Sequence, residues 1–231
     1  DAGIHRMALS LDGPDAESHD DFRGESGSYE RVRQAAEWAD EAGLSIQINT
    51  TVTANTAASL PAIADQVEEL GAAMWEVFFL VPIGRGAELA QLTPAAADEW
   101  MAWLYRRQRD APFRLITVEA PQYRRIAREI EGEPVSVGST HAGSGFVFVS
   151  HRGEVYPSGF LPESAGNVRE TDLVELYRDS ELFRRLRDTG KRSGRCGQCP
   201  YRELCGGSRS RAYAVTGDPL ASDPLCPLVG R

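Results

Sequence analysis

Hydrophobic and polar positions in the first ninety residues alternate between two rhythms. Residues 7–11 are a short apolar run that stops at Asp12-Gly13-Pro14, a turn signal. A helix is predicted over 28–42: Ser28 can cap it, Tyr29, Val32, Ala35, Ala36 and Ala39 form one face, and Gly43 stands just past its end. Ile46, Ile48, Thr50 and Val52 then alternate with Gln47, Asn49 and Thr51, which is strand period. The next helix carries Leu60, Ile63, Ala64, Val67 and Leu70, with Gly71 closing it. Residues 75–81 are apolar almost throughout, as in a strand buried on both faces, and end at Pro82-Ile83-Gly84-Arg85-Gly86. The order β-α-β-α-β predicts an α/β fold with a parallel sheet. Three strands leave one edge open unless further chain or a partner covers it.

The pattern loosens afterwards. Thr93-Pro94 opens a helix whose buried side is marked by Trp100, Met101, Trp103 and Leu104. Residues 113–118 suit a strand and 123–130 a short helix. Residues 132–145, rich in Gly, Ser and Pro, read as a loop or boundary. Apolar runs at 146–149 and 154–156 flank His151-Arg152-Gly153 and predict a hairpin. A helical stretch follows over 172–188, with a break near Asp179-Ser180, and 190–195 lead into the cysteines.

Composition narrows the function. The 231 residues carry a net charge of -9, from 34 acidic and 25 basic side chains. That balance argues against nucleic acid as a partner, since no positive field offsets phosphate repulsion. No apolar run reaches the length that spans a bilayer, so no membrane is expected, and the N-terminus shows no signal-peptide pattern. The expected compartment is the cytoplasm. The chain begins at Asp1 and not at methionine, which leads to the expectation that it is part of something longer.

All four cysteines, Cys196, Cys199, Cys205 and Cys226, fall near the C-terminus in a C-x2-C-x5-C-x20-C array. Two intervening residues bring Cys196 and Cys199 to one side of a tight turn. The Gly206-Gly207-Ser208-Arg209-Ser210-Arg211 segment adds glycines for close backbone approach and arginines that can offset negative charge. An iron–sulfur cluster and a structural zinc both use four thiolates. Zinc ribbons usually show two C-x2-C knuckles and this chain has one, which favours iron–sulfur. Disulfides would need an oxidising compartment.

Two stretches then resemble one family. Ser10-Leu11-Asp12-Gly13-Pro14, His19-Asp20, Arg23-Gly24 and Gly27-Ser28-Tyr29 are similar to the fourth-strand region of radical S-adenosylmethionine (SAM) enzymes with a C-terminal SPASM or twitch extension. Asn49-Thr50-Thr51-Val52 resembles their fifth strand, residues 78–81 their sixth, and the cysteine array their auxiliary-cluster motif. The run from Cys205 through Arg209, Arg211-Ala212-Tyr213, Thr216-Gly217-Asp218 and Asp223-Pro224-Leu225-Cys226 is most similar to the group containing the alternative heme-biosynthesis enzymes.

The resemblance implies a fold: the C-terminal half of a partial (β/α)6 barrel followed by a small α+β cysteine-rich domain. The implied division is 1–92 partial barrel, 93–140 helical connector and 141–231 auxiliary-cluster domain. The family's C-x3-C-x2-C motif, which holds the SAM-binding cluster, is absent and is expected in a preceding segment, without which the chain would be inactive. One auxiliary 4Fe-4S cluster on Cys196, Cys199, Cys205 and Cys226 is expected, because Ser158 and Arg209 stand where further cysteines would complete a second.

By the same resemblance Ser10 and Arg23 would contact SAM, Arg23 as a charge partner for the SAM carboxylate, and Val81 would meet the adenine. Asn49 would face the barrel interior. In the intact enzyme a second 4Fe-4S cluster would cleave SAM to a 5′-deoxyadenosyl radical that abstracts hydrogen from a tetrapyrrole or related substrate. The auxiliary cluster would bind substrate or accept an electron, so a small-molecule or peptide substrate and an electron donor are the implied partners. Two alternatives stay open: a maturase of a ribosomal peptide, and an iron–sulfur or zinc protein without radical chemistry. His19 is expected to cap or pack, and His141 and His151 to be solvated loop residues. Arg209 and Arg211 would lie near the cluster, bind an acidic substrate or be surface charge.

Overall fold

The strands predicted in the first half are all present, and the sheet continues beyond them. The computed structural model describes residues 3–133 and 135–229. In it β1 (Arg6–Ser10) and β2 (Ser45–Val52) are neighbours, followed by β3 (Met74–Phe79), β4 (Arg114–Val118) and β5 (Gly138–Ser139), every adjacent pair parallel. The stretch expected as a helical connector, 93–140, therefore carries sheet as well as helix. It covers the edge of β3 that three strands would have left open. β5 falls inside the predicted loop because Gly138-Ser139 has no apolar signature. Gly138 lies so close to β4 that a Cβ would sit 2.7 Å from Ile116 Cγ1.

Parallel neighbours need crossovers, and helices supply them. The first, α1 (Ala16–Arg23), is an addition to the expected elements. Asp15 caps it by accepting from the Ser18 N–H at 2.9 Å, and Gly24, at φ 68°, ends it. Then come α2 (Ser28–Glu41), α3 (Leu60–Glu69), α4 (Pro94–Gln108) and α5 (Gln122–Glu131). They bury the apolar face of the sheet: Ile46, Ile48, Trp75 and Val77 pack with Ala36, Ile63, Met101 and Ile126 in one core. The opposite positions, Gln47, Asn49, Thr51 and Glu76, stay half-buried. Trp75 Nε1 donates to Thr50 Oγ1 at 2.8 Å, and Thr50 donates to the Leu11 carbonyl at 2.7 Å, which ties β3, β2 and the end of β1 together.

The hairpin forms as β6 (Phe148–Val149) against β7 (Val155–Tyr156), antiparallel. The helical stretch breaks where expected, into α6 (Leu173–Asp179) and α7 (Glu181–Arg187), and Ser180 caps the second. Val155, Leu176 and Phe183 form a small core of their own. Two short helices remain, α8 (Gly194–Gln198) and α9 (Arg209–Thr216), and the tail beyond them returns Leu225 to the main core.

Candidate functional site

Helix α8 carries Cys196, and Cys199 stands at its C-terminal cap. Turns set the other two: the Cys205 N–H donates to the Tyr201 carbonyl, and the Cys226 N–H to that of Asp223. All four line one cleft, together with Gln122, Arg125, Gly206 and Gly207, and all four are free of disulfides. Donors aim at the sulfurs. Cys196 Sγ faces the Asp223 N–H at 3.5 Å and the Arg209 guanidinium at 3.9 Å, and Cys205 Sγ faces the Gly207 N–H at 3.4 Å.

Gly207 is at φ 70°, and a Cβ there would lie 2.7 Å from Asp223 Cβ and 3.2 Å from Cys196 Sγ. Backbone and sulfur can approach this closely only at glycine. Burial pushes the Cys205 thiol up to about 12 and the Cys226 thiol up to about 11. Both are therefore neutral thiols until a bound cation compensates their ionisation. The donor set, the sulfur-directed N–H groups and the glycine cradle fit a thiolate-ligated metal centre.

A buried polar network seats this cysteine region on the carboxyl ends of the strands. Arg211, fully buried, donates to the carbonyls of Phe79 (3.1 Å), Leu80 (3.1 Å) and Glu119 (2.8 Å) and pairs with buried Asp223 at 3.2 Å. Asp223 also accepts from Gln122 Nε2 and from the Ser208 N–H, each at 2.6 Å. Glu119, just past β4 and at φ 55°, accepts from three hydroxyls: Ser158 at 2.7 Å, Ser210 at 2.8 Å and Ser208 at 2.6 Å. A non-glycine residue in the left-handed region is uncommon, and here the convergence of three donors holds it.

A second cleft, of about 520 Å³, opens at the same strand ends. Phe22, Arg23, Thr51, Phe78, Val81 and Phe160 are among its walls. Phe160 reaches across from the cysteine-bearing half and packs edge-on against Phe78, ring centroids 6.3 Å apart. The volume is that of a small-ligand site.

Two of the three expected SAM contacts, Arg23 and Val81, line this cleft; Ser10 ends β1 opposite Asn49, half-buried and outside the lining. Asn49 accepts from Gln47 on its own strand at 2.9 Å. Arg23 pairs at 2.6 Å with the buried carboxylate of Asp12, which also takes the Thr51 N–H at 2.6 Å. Burial raises the pKa of Asp12, against the opposing pull of Arg23. His19 is a packing residue: buried, its Nδ1 takes the Asp12 N–H and its Nε2 meets Ser28 Oγ. Gly13 lets this turn close, since a Cβ there would sit 2.5 Å from the His19 nitrogen.

Several expectations need correction. His141 is not solvated: its Nε2 is buried without a partner. Burial, with Arg192, Arg209 and Arg124 nearby, pushes its pKa down to about 3. Arg209 and Arg211 are fully buried, which removes the surface-charge reading. Sequence patterns assign no role to Asp12, Glu119 or Asp223, which the structure places in the buried network and at the cleft edge. The available signal was a carboxylate inside an apolar stretch, as in Val118-Glu119-Ala120.

No family model matches the chain. It is similar to the AdoMet-dependent heme synthase of Methanosarcina barkeri, 41% identical over 238 residues, which cover 97% of this chain and 68% of that protein. The AdoMet-dependent heme synthase of Nitratidesulfovibrio vulgaris is 40% identical, over 97% of this chain and 65% of its own length. A PqqA peptide cyclase of Methylocella silvestris is 29% identical, over 99% and 62%. The chain thus spans about two thirds of the length of these relatives. Among solved structures the fold matches Streptococcus suis SuiB bound to S-adenosylmethionine, with TM-score 0.67 and 16% identity over 96% of this chain and 54% of that one. It also matches anSMEcpe with bound AdoMet and a peptide, with TM-score 0.64 and 18% identity over 96% and 65%.

Proposed function

Because the chain belongs to the radical SAM enzymes, as a relative of the AdoMet-dependent heme synthases, we propose that it serves radical modification of a tetrapyrrole or related small molecule, with an auxiliary 4Fe-4S cluster on Cys196, Cys199, Cys205 and Cys226. One observation carries the reading. The four cysteines line one cleft, and that cleft is bolted by Arg211, Asp223 and Glu119 onto the strand ends where the 520 Å³ cleft opens. Ligands of barrel-like sheets collect at the carboxyl ends of the strands.

A SAM-binding cluster, for which these residues carry no C-x3-C-x2-C motif, would supply with SAM the radical chemistry for hydrogen abstraction. This chain's side chains bind and orient. Arg23, paired with Asp12 at the cleft edge, would hold the carboxylate of SAM. Val81, in the cleft wall, would pack on the adenine, and Ser10, at the end of β1, would offer its hydroxyl. Phe22, Phe78 and Phe160 give the cleft its apolar wall. Four thiolates hold the auxiliary cluster.

The division at residues 92 and 140 is part of the same proposal, with the sheet running through the middle stretch. No described helix is long and apolar enough to cross a membrane; the cytoplasm is the proposed compartment, with an electron donor as partner. The likeness to a PqqA peptide cyclase supports a second reading, a peptide substrate in the same cleft.

The test is the protein extended by its upstream coding sequence, reconstituted with iron and sulfide and given SAM and reductant. Release of 5′-deoxyadenosine is expected, and its absence would sink the radical reading. Cys226→Ser is expected to remove most of the auxiliary-cluster iron; unchanged iron would refute the four-cysteine assignment.

A further inference from the structure

Two arginines beside the cysteine cleft are buried and, among the described residues, form no ion pair; the one carboxylate whose field reaches Arg192, that of Glu203, is on an exposed residue. Arg209 is fully buried, and its donors go to the carbonyls of Gly207 (3.1 Å), Pro219 (2.8 Å) and Ala221 (2.7 Å) and to Cys196 Sγ (3.9 Å). Arg192 is 7% exposed; it donates to the Arg202 carbonyl, and its Nε has no partner. Its guanidinium lies over Gly206, where a Cβ would come within 2.7 Å of it. Among the described residues neither arginine forms an ion pair. Their neighbours differ in this respect: Arg211 pairs with Asp223, and Arg125 with Asp98 and Glu129.

A guanidinium cannot shed its proton, and a buried charge without a counter-charge is strongly unfavourable. The charges that attract Arg192 most are the sulfurs of Cys196 and Cys205 once ionised, ahead of the exposed Glu203 carboxylate, and the Arg209 guanidinium faces Cys196 Sγ at 3.9 Å. A four-thiolate iron–sulfur centre carries net negative charge that grows by one unit on reduction.

We infer that Arg209 and Arg192 are the built-in counter-charges of the centre held by the four cysteines, and that they raise its reduction potential. The inference rests on the iron–sulfur reading above. Each cation attracts the added electron at a site where Cys196 and Cys205 are buried and Coulomb interactions are stronger than in water. The couple is one-electron: the cluster gains an electron from a low-potential reductant, and no bond at Arg209 or Arg192 forms or breaks. Both arginines act through the cysteines and are positioning residues.

The experiment is a dithionite titration of the reconstituted full-length protein, followed by electron paramagnetic resonance with and without SAM. The signal that SAM does not alter belongs to the four-cysteine centre. Arg209→Gln and Arg192→Gln are each expected to lower the reduced-to-oxidised ratio at fixed potential about tenfold, a shift of about 59 mV for one electron. Arg209→Lys is expected to recover most of that shift. Arg195→Gln, an equal charge change beside Cys196 but exposed to solvent, is expected to leave the midpoint in place.

Normal iron content with an unmoved midpoint in Arg192→Gln overturns the inference, as does a shift in Arg195→Gln equal to that in Arg209→Gln. If Arg209→Gln loses iron or fails to fold, Arg192→Gln, with its single backbone bond, decides. A wild-type protein with iron but no SAM-insensitive signal overturns the iron–sulfur reading itself.

Discussion

Gly207 answers two demands at one position. Its φ of 70° is open to glycine at no steric cost, and the missing side chain leaves room for Cys196 Sγ and the Asp223 side chain. Alanine would meet both, with a left-handed penalty of about 1–2 kcal/mol and a collision with Asp223 Cβ that neither backbone can relieve cheaply. Gly207→Ala is therefore expected to lower the unfolding midpoint and the bound iron together, measured by chemical denaturation and iron analysis. A variant with unchanged iron would show that the backbone need not lie against the sulfur. The Asp12–Arg23 pair works in the same local way: a buried carboxylate fixes a cation at the cleft edge, and the Thr51 N–H completes the carboxylate's bonding.

Helix α9 is short, and its first turn serves the whole site. Ser208 caps it, accepting from the Arg211 N–H at 3.0 Å, while its own hydroxyl donates to Glu119 at 2.6 Å. The cap thus fixes where Arg209, Ser210 and Arg211 point, and all three are buried. Ser208→Ala removes the cap and leaves a buried carboxylate oxygen short of a donor, a loss of about 2 kcal/mol. For a domain of this size that corresponds to a fall in Tm of about 4–8 °C, to be read by thermal unfolding. A change under about 1 °C would show that the cap is not needed. On the sheet side, β2 and β3 were foreseeable from their apolar alternation and run, whereas β5 was not, since two small residues carry no period.

Across the whole chain, one buried ion pair joins the tail to the sheet. Arg211 reaches the carbonyls that end β3 and the residue after β4, and Asp223 neutralises it while touching Gln122 of α5. Removing one partner strands the other charge in a dry site. Asp223→Asn is expected to destabilise the protein by about 3–5 kcal/mol, measured by urea unfolding. Combining it with Arg211→Met should lose less than the sum of the single changes, because the double variant leaves no unpaired charge. Additive losses would mean that the pair does not act as a unit. The consequence for function is spatial: this pair sets how far the cysteine cleft sits from the cleft lined by Arg23 and Val81.

Local patterns in the sequence determined the parallel α/β order, the hairpin, the break at Ser180 and the set of four cysteines. Each is written in neighbouring residues: a period of two or 3.6, a turn residue, a fixed spacing. The burial of Arg209 and Arg211, the role of Glu119 and Asp223, the pairing of Arg23 with Asp12 and the seat of His141 emerged only when the chain closed on itself. Arg211 bonds to the Leu80 carbonyl across 131 positions and Ser158 to Glu119 across 39. No periodicity announces such partners, because a charged or polar side chain reads the same in sequence whether water or a distant backbone carbonyl satisfies it.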